Sequence, residues 1–94
     1  MLTKRLWADS FYVSYYCPGC EIMHRVSIFD YNIDYNSVSI TPVIKISDGR
    51  KVVCEHMIQN GQITWLKHSD KSLEGKTTEV PRIKLNKNGT YSMA

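Results

Sequence analysis

The sequence predicts an all-β protein: a small antiparallel sheet built from hairpins, with a zinc-knuckle or zinc-ribbon-like metal site and at most one short helical turn. Three observations lead to this prediction. Apolar and polar residues alternate along much of the chain, glycine-containing turn pairs separate the alternating runs, and "YYCPGCEIMH" holds a C-x2-C cysteine pair. Alternation with a period of two is typical of half-buried strands.

Length and composition fit a single domain over residues 1–94. The chain is 43% hydrophobic and 22% charged, which is ordinary globular composition and excludes a disordered chain. A domain of this size has a thin core, so a metal or another cross-link would contribute much of its stability. Residues 1–9 and 86–94, at the two ends, are where we expect fraying.

Five alternating runs are predicted to be strands. The residues expected to face inward are Phe11, Val13, Tyr15 and Cys17 in the first run; Ile22, His24, Val26 and Ile28 in the second; Val38, Ile40, Pro42, Ile44 and Ile46 in the third; Val52, Cys54, His56 and Ile58 in the fourth; and Ile63 and Trp65 in the fifth. Because proline cannot donate to a strand ladder, Pro42 predicts an edge position or a bulge.

Turn chemistry predicts how these strands connect. Asp48-Gly49 and Asn60-Gly61 are pairs favoured where both turn positions need positive φ, and each lies between β-rich runs. They predict two consecutive hairpins, a three-stranded meander. Further on, Ser69 or Asp70 as N-cap and Gly75 as terminator allow one helical turn.

Cysteine and histidine spacing indicates a metal site. Structural zinc takes four tetrahedral ligands from Cys and His, and Cys17 and Cys20, with Pro-Gly between them, supply two. Cys54, on the inner face of its run, is the natural third. For the fourth, His24 follows the cysteine pair closely, and His56 lies on the same side of the strand as Cys54. Both remain open from the residues alone.

The same residue types also occur in proteins without structural zinc. A redox C-x-x-C normally opens a helix in a βαβ unit, and no such pattern is present. Cys54 could instead be an inert buried thiol. Iron also accepts tetrahedral sulfur ligands, although a histidine in the set favours zinc. His68, beside Lys67 and Asp70, is predicted to be a solvated loop residue.

Three segments resemble a known family in both motif and order: "YYCPGCEIMH", "YNIDYNSVSITPVI" and "VCEHMIQNGQITWLKHSDKSLEGKTTEVP". They are similar to small phage and prophage proteins of unestablished function whose members often carry the label "ammonia monooxygenase". The likeness covers roughly residues 15–81. The family motif CPGC-x3-H matches Cys17, Cys20 and His24, and a later family cysteine matches Cys54. The resemblance therefore implies His24 as the fourth ligand.

The chain also departs from the family pattern. Where the family has a histidine directly after the later cysteine, this chain has Glu55, with a histidine displaced to His56. A further family cysteine and histidine are replaced by Ser69 and Lys71, so a reactive site at those positions would be broken here. Further matches are Asn32, Asp34, Thr41-Pro42, Leu73, Gly75 and Thr77. Ammonia oxidation by a copper oxygenase would need a histidine-rich site and membrane spans, and neither is present.

We expect a structural zinc ion and a binding role rather than catalysis. Zinc with four protein ligands has no position open for water. A metal-dependent hydrolase, as a further alternative, would need a free histidine and Asp34 or Glu55 as base. The resemblance implies a phage or prophage protein that binds a protein partner, which could be a host factor. Tyrosine and tryptophan favour such contacts, and the candidates are Trp7, Tyr12, Tyr16, Tyr31 and Tyr35.

A nucleic-acid-binding zinc domain is the alternative. The formal charge is +3, and the candidate phosphate contacts are Lys4, Arg5, Arg50, Lys51, Lys84 and Lys87. The sequence contains neither an apolar run of membrane-spanning length nor a recognisable signal peptide. We therefore expect a cytoplasmic protein, in the cytoplasm of a bacterial host, with no membrane partner.

Overall fold

Strands make up nearly all the regular structure of this chain. A computed structural model describes residues 2–49 and 51–94. The strands are β1 Thr3–Lys4, β2 Trp7–Ala8, β3 Tyr12–Cys17, β4 Ile22–Ser27, β5 Asn32–Asp34, β6 Ser39–Asp48, β7 Lys51–Gln59, β8 Gln62–His68, β9 Thr77–Glu79, β10 Ile83–Leu85 and β11 Tyr91–Met93. The one helical element among the described residues is a 3-10 turn at Lys71–Leu73. The predicted all-β class is confirmed.

The strands form three antiparallel sheets within the described residues. The terminal sheet has the order β1-β10-β11, the knuckle sheet β2-β3-β4, and the five-stranded sheet β5-β6-β7-β8-β9. The last two follow chain order, because each of their strands pairs with its sequence neighbour. The alternation pattern identified strands but not how they divide among sheets.

The predicted meander is present as β6-β7-β8. Asn60-Gly61 forms its second turn with φ of 52° and 78°, as a two-residue turn with positive φ at both positions requires. The first turn differs by one residue from the prediction. Asp48 pairs with Lys51 and so ends β6, which makes Gly49, at φ 64°, the first residue of the loop.

Pro42 lies in an irregular part of β6. Ile40 pairs with Ile58 and Ile44 pairs with His56, so four steps along β6 match only two along β7. The missing N–H of proline falls in this interruption of the ladder. The bulge predicted for Pro42 is confirmed, and Ile40 and Ile44 still face the core.

The core lies between the knuckle sheet and the five-stranded sheet. Most predicted inward positions are buried there, with Leu6 and Val80 added: Val13, Tyr15, Cys17, Val26, Ile40, Ile44, Cys54, Ile58, Ile63 and Trp65. The prediction is wrong for Phe11, Ile22, Pro42 and Val52, which are all exposed. Pro42 lies in the irregular part of β6 and Val52 near the start of β7. Phe11 precedes β3, and Ile22 opens β4 beside the cysteine turn, so the inward face does not extend to them.

The remaining predicted features concern the helical turn and the ends. Asp70 is the N-cap of the 3-10 turn, its Oδ1 accepting the N–H of Ser72 at 3.0 Å. Gly75, at φ 82°, follows the turn as expected. In the end segments where we expected fraying, β1 and β11 both pair with β10. The described chain has no helix of the length and hydropathy needed to cross a membrane.

Candidate metal centre

Four predicted ligands meet at the junction of two sheets. One potential ligand atom from each of Cys17, Cys20, His24 and Cys54 lies within 4.8 Å of all the others. The first three belong to the β3–β4 hairpin, and Cys54 comes from β7 in the five-stranded sheet. The group could hold one metal ion, which would tie the two sheets together.

The turn between the first two cysteines has a tight local structure. The N–H of Glu21 donates to the carbonyl of Cys17 at 2.8 Å, and Glu21 takes a φ of 58°. A Cβ on Gly19 would lie 2.8 Å from the indole ring of Trp65, nearer than real Cβ atoms approach. Gly19 is therefore required because the turn packs directly on β8.

His24 is buried with an unpaired nitrogen. The residue is 4% exposed, and its Nε2 has no hydrogen-bond partner among the described residues. Tyr15 packs edge-on against its ring at a centroid distance of 5.8 Å, and the ring of His56 stacks on it at 5.6 Å. Buried polar nitrogens are normally paired, and a metal ion is a partner that an imidazole nitrogen readily takes.

The three thiols share their charge unequally. A hydrogen bond from Cys54, together with contacts from His24 and Trp65, lowers the pKa of Cys17 to about 3 despite its burial. Burial, and then the charge of Cys17, raises the pKa of Cys20 to about 11. The hydrogen bond to Cys17 also raises the pKa of Cys54 far above its usual range. A divalent cation would lower the pKa of each thiol and favour ionisation of all three.

Each sulfur also has a nearby N–H donor from outside the cluster. The indole Nε1–H of Trp65 donates to Cys17 Sγ at 3.4 Å. The backbone N–H of Asp70 donates to Nδ1 of His68 at 2.8 Å, which leaves the proton of the neutral ring on Nε2. That Nε2 lies 3.3 Å from Cys20 Sγ and donates to it.

His56 supplies the third donor. Its Nε2 is 2.7 Å from the hydroxyl of Tyr15 and its Nδ1 is 3.2 Å from Cys54 Sγ. Burial, and then the negative charge of Cys17, raises the pKa of Tyr15, so the phenol keeps its proton. Burial lowers the pKa of His56 to about 4, so the ring is neutral and carries one N–H. Donation from the phenol to Nε2 would place that N–H on Nδ1, facing Cys54. With both nitrogens engaged, His56 belongs to the surroundings of the cluster, and His24 completes the set of four.

The expectation that His68 is a solvated loop residue is wrong. His68 ends β8 and is 6% exposed. In the pairing with β7, Glu55 is opposite Lys67 but His56 is opposite Trp65, so β8 contains one extra residue there. This bulge reverses the alternation and turns His68 towards Cys20. Strict alternation from Trp65 would have turned Lys67 inward instead.

Other proposed site residues lie outside this cluster. Asp34 Oδ1 accepts the backbone N–H groups of Asn36 and Ser37 at 3.0 and 3.2 Å, and the alternation of β7 directs Glu55 away from Cys54. The candidate phosphate contacts are distributed over several elements: Lys4 on β1, Arg5 after it, Lys51 at the start of β7, Lys84 on β10 and Lys87 after β10. Arg50 lies outside the described residues.

Comparisons with protein-family models, with curated proteins and with solved structures found no match for this chain. The resemblance to the phage family consequently stays a prediction from the motifs.

Proposed function

We propose that this protein is a zinc-stabilised β-domain that binds another protein and does not catalyse a reaction. The observation that carries the proposal is the convergence of Cys17, Cys20, His24 and Cys54 within 4.8 Å. Three thiols and an imidazole are a common ligand set for structural zinc. Iron is a less suitable occupant, because it favours an all-sulfur set.

The ligand count argues for a structural role. A catalytic zinc ion has three protein ligands and holds water in the fourth position. Here four side chains are available, and three of them are buried. The buried rings of Tyr15, His56 and Trp65 lie against His24, Cys54 and Cys17, respectively. An ion held by all four side chains would have no ligand position left for substrate.

The metal proposal is tested by elemental analysis of protein purified without added metal. We expect one zinc per chain, and loss of zinc in Cys20→Ser. Ser14→Ala, a change on the same hairpin outside the ligand set, is the matched control and should retain the metal. A wild-type protein free of zinc and unable to take up Zn²⁺ or Co²⁺ would refute the proposal.

Protein binding is supported by an exposed aromatic group at the far end of the β3–β4 hairpin. Phe11 and Phe29 are 61% and 74% exposed, with ring centroids 6.4 Å apart. The guanidinium of Arg25 lies over the neighbouring Tyr12 ring at 4.2 Å. Aromatic and arginine side chains are enriched at protein interfaces. We call Phe11, Tyr12, Arg25 and Phe29 the aromatic patch.

The partner that fits the aromatic patch is a protein with an apolar surface bordered by carboxylates, which Arg25 would pair with. The family resemblance supports a phage protein acting on a host or phage factor in the bacterial cytoplasm. Affinity capture from host lysate with zinc-loaded protein tests this. Specific capture should be lost in the double variant Phe11→Ser, Phe29→Ser and kept in Leu66→Ser, which removes an exposed apolar residue from β8. Equal capture by both variants would refute the assignment of this surface.

A further inference from the structure

A cleft whose described lining contains none of the proposed metal ligands is formed by residues from several parts of the chain. It lies between the first residues of the chain, the segment after β5 and the residue before β10, and has a volume of about 510 Å³. That is within the range of about 300–1,000 Å³ typical of small-molecule sites. Its charged lining residues are Lys4, Arg5 and Arg82, and no acidic residue belongs to the described lining.

The cationic groups are held in place by neutral partners. Arg82 donates from Nε to Thr3 Oγ1 at 2.8 Å and from a terminal nitrogen to the Thr3 carbonyl at 2.6 Å. Arg5 donates to the carbonyl of Val80. A guanidinium has five N–H donors, so both arginines keep donors for a ligand. Their positions are fixed without neutralising their charge.

Among the described residues, acidic side chains offset the positive charge of the cleft only weakly. Glu79 Oε2 is 3.8 Å from a terminal nitrogen of Arg5, and its side chain is largely exposed. Pairs of this kind contribute little, because water screens them. The Nζ of Lys4 lies 4.7 Å from the ring centroid of Trp7, a neutral partner. The cleft therefore has an excess of positive charge suited to a phosphate group.

One wall of the cleft offers an aromatic surface. Tyr35, 50% exposed, follows β5, and Val38 ends the same connection. Val38 has a φ of 57°, a strained conformation for a β-branched residue, and its carbonyl is held by the N–H of Gly61 at 3.0 Å. Strained backbone of this kind is concentrated at binding sites, where surrounding structure maintains it.

We propose that this cleft binds a nucleoside phosphate, either free or as a unit of a single nucleic-acid strand. Lys4, Arg5 and Arg82 would hold the phosphate by charge-assisted hydrogen bonds, and the base would stack on Tyr35. The site is independent of the zinc proposal. It shares Lys4 and Arg5 with the predicted nucleic-acid contacts, and it adds Arg82 and Tyr35.

The experiment is a titration of isotope-labelled protein with inorganic phosphate, AMP and a single-stranded decanucleotide, followed by amide chemical shifts and calorimetry. AMP should bind more tightly than phosphate and shift the amides around Lys4, Tyr35 and Arg82. If the decanucleotide binds more tightly than AMP and its affinity falls more steeply with salt, the ligand of the cleft is a unit of single-stranded nucleic acid. Equal affinities identify the free nucleotide, and either outcome supports the cleft.

Single substitutions distinguish binding in the cleft from nonspecific attraction of an anionic ligand to a positively charged protein. Lys4→Gln should weaken AMP binding about tenfold, and Lys45→Gln, the same charge change on β6 outside the cleft, should leave it unchanged. Tyr35→Ala should weaken AMP binding about 5- to 150-fold and leave the affinity for inorganic phosphate unchanged. Equal losses in both lysine variants, no shifts at the cleft with millimolar AMP, or AMP binding no tighter than phosphate would overturn the proposal.

Discussion

Replacing Tyr15 with phenylalanine tests the role of the hydrogen bonds around the metal centre. The hydroxyl of Tyr15 lies 2.7 Å from Nε2 of His56, and both side chains are fully buried. Phenylalanine keeps the ring contacts with His24 and His56 and removes one oxygen. The change deletes a buried hydrogen bond and leaves an acceptor without a donor, at a cost of about 1–3 kcal/mol. For a domain of this size, the melting temperature should fall by on the order of 5–20 °C.

The same substitution should also weaken metal binding. Without the phenol, the proton of His56 is free to move from Nδ1 to Nε2. The ring would then present a lone pair instead of an N–H to Cys54 Sγ. Loss of a hydrogen bond around a metal ligand typically reduces metal affinity about 10- to 100-fold. The assay is competition for zinc against a chromophoric chelator, alongside thermal melts of the zinc-loaded protein.

Tyr12→Phe is the matched control. It removes the same hydroxyl from the start of β3, where the ring remains over Arg25 and the group is exposed to water. Its stability should change by less than about 0.5 kcal/mol. If Tyr15→Phe behaves like this control in both assays, the hydrogen bonds that link Tyr15, His56 and Cys54 contribute neither to stability nor to zinc affinity. If only the melting temperature falls, the bond stabilises the fold and its predicted effect on metal affinity is refuted.

Further predictions follow from single positions. Gly19→Ala should lower the unfolding free energy by about 1–3 kcal/mol in urea melts, because its Cβ would lie 2.8 Å from the ring of Trp65. Gly61→Ala, which meets no atom within 4 Å, should cost only about 1–2 kcal/mol, from the φ of 78°; a larger loss than for Gly19→Ala would contradict this comparison. Ile44→Ala should cost about 2–5 kcal/mol by the same measurement, because the site is fully buried. Lowering the pH through the window between 6.5 and about 4 should destabilise the protein, since burial lowers the pKa of His56 to about 4 while an unfolded histidine binds its proton near 6.5. Urea melts with a flat pH dependence across that window would refute the last expectation.

The sequence predicted those parts of the fold that depend on local periodicity. Inward residues such as Cys54, His56 and Ile58 follow strict alternation, and the Asn60-Gly61 turn follows from the φ values that its residues accept. A metal site was predictable from the cysteine spacing. The division into three sheets was not, since it depends on pairing between residues distant in sequence, such as β1 with β10.

The alternating pattern of apolar and polar residues could not predict the bulge in β8. The extra residue in β8 opposite the step from Glu55 to His56 brings His68 inward, and no turn residue in "TWLKH" marks it. The need for glycine at position 19 is also non-local, because it arises from contact with Trp65, 46 positions further along. Both features depend on how two sheets pack, which a one-dimensional pattern does not contain.

The polar residues at the junction of the two sheets provide the strongest argument that a metal belongs there. Cys17, Cys54, His24 and His56 occupy positions in the core where alternation alone would accept aliphatic side chains. Buried polar groups destabilise a fold unless they are paired, and the three thiols cannot all ionise together without a cation. One divalent ion would bind the buried imidazole of His24 and stabilise three thiolates, each of which lies within hydrogen-bond distance of an indole or imidazole nitrogen. A core with these residues and no ion would be less stable than an aliphatic core. A bound metal ion therefore accounts both for the four ligands and for the donors around them.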